Sequence, residues 1–124
     1  MGVERTALIV DDNALGRELA RDILEGAGYQ VAEAATVAEA LNLLGKSRFD
    51  VCLLDWHLRG MTGKDLLRAL PVTCPVGAPR TLVVTADARG ETAQDALGSG
   101  ADGVVTKPYR PAELLIAVDR VLTL

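Results

Sequence analysis

Two cysteines in 124 residues are too few for a disulfide framework, and their settings differ: Cys52 lies in an apolar run, Cys74 in a proline-rich stretch. Both are expected to be free thiols in a reducing compartment. With no nearby histidine they also make a poor zinc site. No apolar run approaches the roughly 20 residues needed to cross a bilayer, and the first six residues are polar, unlike a secretory leader. The chain therefore reads as cytoplasmic, with no membrane contact of its own. Basic residues are not in excess: the formal charge is −4, which gives no general attraction to nucleic acid or anionic lipid.

What is present is an ordinary globular composition, 49% hydrophobic and 24% charged, enough for one continuous core and one domain over residues 1–124. Five short aliphatic runs alternate with helical periodicity: Ala7-Leu8-Ile9-Val10, residues 29–32, Val51-Cys52-Leu53-Leu54, Thr81-Leu82-Val83-Val84 and Val104-Val105. Several are continuously apolar, the pattern of strands covered on both faces of a parallel sheet.

The intervening segments predict five helices. Leu15, Leu19, Ile23, Leu24 and Ala27 recur at helical spacing and stop at Gly28. A capping box, Thr36 with Glu39, opens the second helix, which carries Val37, Ala40, Leu41 and Leu44 and exits at Gly45. The third, over 64–70, is expected to end before Pro71, with an extended loop over 71–79. Pro111 opens the last helix, whose inward face is Leu114, Leu115, Val118, Val121 and Leu122. The fourth, over 89–97, has mostly alanine as its apolar content, and reads equally as a mobile element or as a plain solvent-facing helix. Five strand–helix units with right-handed crossovers imply an α/β, doubly wound parallel sheet ordered 2-1-3-4-5.

In such sheets ligands sit at the C-terminal ends of the strands. Asp11 and Asp12 follow the first strand, Asp55 the third, Thr85 the fourth and Lys107 the fifth. Three carboxylates gathered there repel one another unless a cation relieves them, and an all-oxygen set suits a hard divalent ion such as Mg²⁺. Taken singly each residue has a plain reading: Asp11 and Asp12 as helix caps, Asp55 as a loop carboxylate, Thr85 as a strand-end hydroxyl, Lys107 as a surface charge. Their joint placement favours chemistry.

Over residues 6–122 the sequence resembles the receiver domain of two-component response regulators. The resemblance rests on Leu8-Ile9-Val10-Asp11-Asp12-Asn13, Val51-Cys52-Leu53-Leu54-Asp55, Gly63, Val84-Thr85-Ala86, and Gly100-Ala101-Asp102-Gly103 leading to Lys107-Pro108. It implies a flavodoxin-like (βα)5 fold in which Asp55 accepts a phosphoryl group from the phosphohistidine of a histidine kinase or histidine phosphotransfer domain. It also implies that Asp11, Asp12, Asp55 and the backbone carbonyl of His57 hold Mg²⁺. Thr85 and Lys107 would then bond phosphoryl oxygens, with a cis Lys107–Pro108 bond aiming the lysine. Such a domain is a signalling switch that catalyses its own phosphorylation and dephosphorylation, not an enzyme acting on a free metabolite. Its fourth helix and fifth strand are the expected reporting surface.

Some positions depart from the family pattern. Val104 stands where many members carry Tyr or Phe, Arg59 where Pro is frequent, and His57 and Asp87 occupy positions that tune the lifetime of the phosphoryl state. Trp56 reads as solvent-facing or as a partner contact, and as a fluorescent reporter beside Asp55. Two other readings compete: a haloacid-dehalogenase-type phosphatase, which expects Asp-x-Asp after the first strand, and a receiver-like interaction module that is never phosphorylated. No output domain is expected in this stretch, so the effect passes through a downstream partner or an attached kinase or output domain. The segment from Asp11 to Arg17, with Gly16 where hybrid histidine kinases often have Asn, leans toward a hybrid-kinase receiver over a free-standing regulator.

Overall fold

A computed structural model of the chain describes residues 4–59, 61–74, 77–87 and 90–124, without the Met61 side chain. Strands β1 (Thr6–Val10), β2 (Gln30–Ala34), β3 (Val51–Asp55), β6 (Arg80–Thr85) and β7 (Gly103–Thr106) form one parallel sheet. A two-residue antiparallel hairpin, β4 (His57–Leu58) with β5 (Met61–Thr62), follows β3. The sheet order is β2-β1-β3-β6-β7. With the hairpin set aside this is the expected 2-1-3-4-5 arrangement.

The helices are α1 (Ala14–Gly26), α2 (Val37–Lys46), α3 (Gly63–Thr73), α4 (Gly90–Gly98) and α5 (Pro111–Leu122). Alternate strand residues face opposite ways, so the continuously apolar strands feed two cores. Leu8, Val10, Cys52, Leu54 and Val83 pack with α2, α3 and Ala96 of α4. Ala7, Ile9, Val51, Leu53, Leu82 and Val84 pack with α1 and α5 on the other face.

Local chemistry sets the helix ends. Thr36 Oγ1 accepts from Glu39 N at 3.1 Å, while the Glu39 carboxylate accepts from Ala35 N at 2.8 Å, one residue before the expected reciprocal donor. Past α1, Gly28 adopts φ +94°, a left-handed turn that glycine takes without a Cβ penalty. The α2 helix runs one residue beyond Gly45.

Three expectations need correction. Pro71 does not end α3; it lies inside it. Buried Leu66, Leu67 and Leu70 anchor the preceding turns, and Cys74 N donates to Leu70 O at 2.8 Å, so the hydrogen bond that proline forfeits is lost only near the helix end. Residues 75 and 76 of the expected loop lie outside the described residues, as does Arg89, the expected first residue of the fourth helix. Next, Leu15 and Leu19 are exposed; Ala20 and Leu24 are the buried residues of α1, because the apolar stripe is wider than the sheet can cover. Last, Trp56 is buried at 5% exposure within the core on the α2–α3 side, against Gly63.

Among the described residues, the α4 helix buries the least side-chain area of the five helices. Ala96 is its one buried residue, Leu97 is half exposed, and its polar ties among the described residues include Lys64 Nζ to Asp95 Oδ1 at 2.8 Å and Thr92 Oγ1 to Asp87 Oδ2 at 2.6 Å. No helix among the described residues is long and apolar enough to cross a membrane.

Candidate functional site

The sheet delivers Asp11, Asp55, Thr85 and Lys107 to its C-terminal edge because β1, β3, β6 and β7 are parallel and in register, and each ends within a residue of its polar group. Asp11 is 5% exposed. Its Oδ1 accepts from Asn13 N at 2.9 Å, its Oδ2 accepts from Lys107 Nζ at 3.1 Å, and its main-chain carbonyl accepts from Arg17 Nη1 at 2.7 Å. Asn13 also caps α1 by accepting from Gly16 N at 3.0 Å. The first turn therefore sits so close to the carboxylate that a Cβ at Gly16 would lie 2.6 Å from Asp11 Oδ2.

Lys107 is fixed at its backbone, where its N–H donates to Thr85 O at 2.8 Å and the following Lys107–Pro108 peptide is cis. Its ammonium also lies 3.7 Å from Asp55 Oδ2, so one cation spans two carboxylates from different strands. Burial disfavours the lysine charge, but Asp55 and Asp11 together outweigh it and raise the pKa. At Asp55 the balance goes the other way: burial raises its pKa, with Asp11 adding to the rise, beyond what Lys107 and the His57 N–H at 3.2 Å can offset. A carboxylate held at a net cost in charge is one that gains from a further cation.

Asp12 faces the hairpin. Its Oδ2 accepts from Arg59 N at 2.9 Å, and the Arg59 guanidinium Nε is 3.8 Å away. Thr85 is 1% exposed, and its Oγ1 accepts from Asp87 N at 3.1 Å. Carboxylate oxygens of Asp11, Asp12 and Asp55 all lie within 4.8 Å of one another. Three hard anionic oxygens at that separation fit a divalent ion of the Mg²⁺ or Ca²⁺ kind.

The sequence matches the response regulator receiver domain over residues 7–119. The chain belongs to this family. The receiver is 36% identical to the phosphate regulon transcriptional regulatory protein PhoB of Pseudomonas aeruginosa, over 97% of its own length and 52% of that protein. It thus spans about half of that relative. Vibrio cholerae chemotaxis protein CheY4 superposes with a TM-score of 0.89 at 33% identity, covering 96% of this chain and 99% of that one. A Burkholderia pseudomallei response regulator superposes at 0.84, with 32% identity over 97% of this chain and 69% of that one; that structure holds a phosphorylated aspartic acid, a calcium ion and citrate. As a member of the family, this receiver is a phosphoacceptor module of two-component signalling.

Asp11, Asp12, Asp55 and Lys107 converge in the receiver as expected, with Thr85 buried at the adjacent strand end. His57 meets Asp55 through its N–H and exposes its side chain. Gly16 has a role in the site that was not expected, and Arg59, which the sequence offers as a charge near the site or as a looser turn, has Asp12 as its partner. Gly16 leaves room for Asp11, and its only sequence mark is a glycine in the first turn of a helix. Arg59 supplies a main-chain donor to Asp12, a contact that any residue but proline could make. The exposed Leu15 and Leu19 join Ala86, Pro108 and Tyr109 along a groove of about 380 Å³ beside Lys107. An apolar edge of that kind next to a reacting centre is the sort of surface a protein partner covers.

Proposed function

We propose that Asp55 is the phosphoacceptor and that Asp11, Asp12, Lys107 and Thr85 serve its reaction. An Asp55 carboxylate oxygen attacks the phosphorus of a phosphohistidine on a histidine kinase or histidine phosphotransfer domain. The P–N bond breaks, the imidazole nitrogen regains a proton, and an acyl phosphate forms on Asp55. Asp11, Asp12, Asp55 and the His57 carbonyl would hold Mg²⁺, which when bound offsets the charge of the transferring group. Lys107, already between Asp11 and Asp55, turns its ammonium to a phosphoryl oxygen. Thr85 Oγ1 bonds a second oxygen as a donor. Water attack on the acyl phosphate later restores the carboxylate, with His57 and Asp87 beside its path.

The observation that carries this reading is the single ammonium of Lys107 within 3.1 Å of Asp11 and 3.7 Å of Asp55. A cation so placed between two carboxylates is poised to follow new negative charge on either. Residues 1–124 act as one cytoplasmic receiver domain, a switch whose output passes to a downstream protein or to an attached kinase or output domain. The Asp11–Arg17 segment favours attachment to a hybrid kinase.

Incubation with acetyl phosphate and MgCl₂, followed on a phosphate-affinity gel, tests the mechanism. A shifted band that disappears in Asp55→Asn and in chelator is expected. No modification by acetyl phosphate or by a set of phosphorylated histidine phosphotransfer domains, together with Trp56 fluorescence indifferent to Mg²⁺ and beryllofluoride, would replace this reading with an interaction module that is not phosphorylated.

A further inference from the structure

The carboxylates of the acidic cluster carry partners before any metal arrives. Lys107 serves Asp11 and Asp55; Asp12 has a partner of its own. The Arg59 N–H donates to Asp12 Oδ2 at 2.9 Å, and the Arg59 guanidinium lies 3.8 Å from the same oxygen. A proline at residue 59 would provide neither contact, having no N–H and no charge. The guanidinium is permanently charged, and its side chain is 96% exposed, free to swing into solvent.

We infer that Arg59 is a positioning residue that sets the divalent-cation affinity of this receiver: its N–H orients the Asp12 carboxylate, and its guanidinium competes for that carboxylate with the metal. The inference rests on the assignment of Asp11, Asp12 and Asp55 as metal ligands. In the metal-free protein the guanidinium screens Asp12 and lessens the repulsion within the cluster. Once a divalent ion is bound, the same guanidinium is a like charge a few ångströms from it and must withdraw. Both effects act against loading. The pair is solvent-exposed, so its influence is modest, on the order of two- to fivefold in Kd at low salt, and it fades as added salt screens the charges. A receiver so built fills with metal over a higher range of Mg²⁺ than one without the arginine.

The test is Mg²⁺ affinity, read from the rise of the thermal midpoint with MgCl₂ concentration, for the wild type, Arg59→Lys, Arg59→Ala and Arg59→Glu, at low salt and in 0.5 M KCl. Arg59→Ala should bind Mg²⁺ about two to five times more tightly than wild type, and Arg59→Glu more tightly still. Arg59→Lys should stay near wild type, and the spread should shrink in KCl. A merely structural role for the side chain would not produce an order that follows charge and salt. Equal affinity across the series, or weaker binding in Arg59→Ala, overturns the inference while leaving the metal site in place. If no protein in the series, nor Asp12→Asn, responds to MgCl₂, the metal-site assignment fails and takes this inference with it.

Discussion

Replacing Asp55 with Asn should make the metal-free protein more stable while abolishing its chemistry. Asp55 shares a space in which carboxylate oxygens lie within 4.8 Å of one another, so its repulsion with Asp11 and with Asp12 is about 3.5 kcal/mol each at an effective dielectric near 20. The Lys107 ammonium at 3.7 Å returns about 4.5 kcal/mol at the same dielectric. The balance is a net penalty of about 2.5 kcal/mol, before the cost of desolvating the mostly buried carboxylate is added. The raised pKa of Asp55 has the same sign: the charged form is disfavoured in the fold. Asparagine keeps the shape and the acceptor for the His57 N–H and removes the charge. For a chain of this length about 1 kcal/mol moves the melting point by roughly 4 °C, so the variant should melt about 10 °C above wild type in chelator. Circular dichroism at 222 nm across a thermal ramp reads this directly. Saturating MgCl₂ should then narrow the gap, because the wild type has the fuller ligand set and gains more from binding. An Asp55→Asn protein that melts at or below wild type in chelator would refute the reasoning, since the lysine would then outweigh the two aspartates.

Gly63→Ala should destabilise by about 1–3 kcal/mol, because the new Cβ would lie 2.8 Å from Trp56 Cε3 and 3.2 Å from Leu54 in a filled core; urea unfolding followed by Trp56 fluorescence would show an unchanged midpoint if the packing is looser than described. Asp50 gives a pH signature. Burial pushes its pKa up, but the Thr6 N–H at 2.8 Å and Arg48 at 3.0 Å outweigh that and leave it lowered. Its stabilisation, on the order of 1 kcal/mol or less because the Arg48 partner is so exposed, is therefore present above the unfolded carboxyl pKa and is lost as pH falls through the folded one. The wild type should exceed Asp50→Asn in urea midpoint at pH 7 and converge with it below about pH 4; a gap that persists at low pH would mean the contact does not depend on charge.

The sheet and the site were legible because both follow from rules that act along the chain. Continuous apolar runs mark strands covered twice, and strand C-terminal ends mark where polar groups meet, so Asp11, Asp12, Asp55, Thr85 and Lys107 could be placed together from spacing alone. What escaped notice depends on contacts across the chain. Pro71 looks like a stop until the burial of Leu66, Leu67 and Leu70 is known to hold the helix past it. The exposure of Leu15 and Leu19 depends on how far the sheet and α5 extend, which periodicity does not contain. Trp56 follows Asp55 directly, yet adjacent strand-end residues point to opposite sides and its ring falls on the core side. The roles of Gly16 and Arg59 come from a steric gap and from contacts to Asp12; the residue types permit them, but only the folded chain shows which carboxylate each serves.

The weak anchoring of α4 sets how the receiver occupies its states before any signal. Among the described residues, a buried alanine side chain, a partly exposed ion pair and a hydroxyl contact tie the helix to the core, to α3 and to Asp87. Anchoring this slight lets a displaced α4 exist as a minor population at rest. Relaxation-dispersion NMR on the α4 amides should detect that minor population, and flat dispersion profiles would contradict it. Phosphorylation would then have no new shape to create: the one to three charge-assisted hydrogen bonds that a phosphoryl group offers are enough to invert a ratio already present at rest.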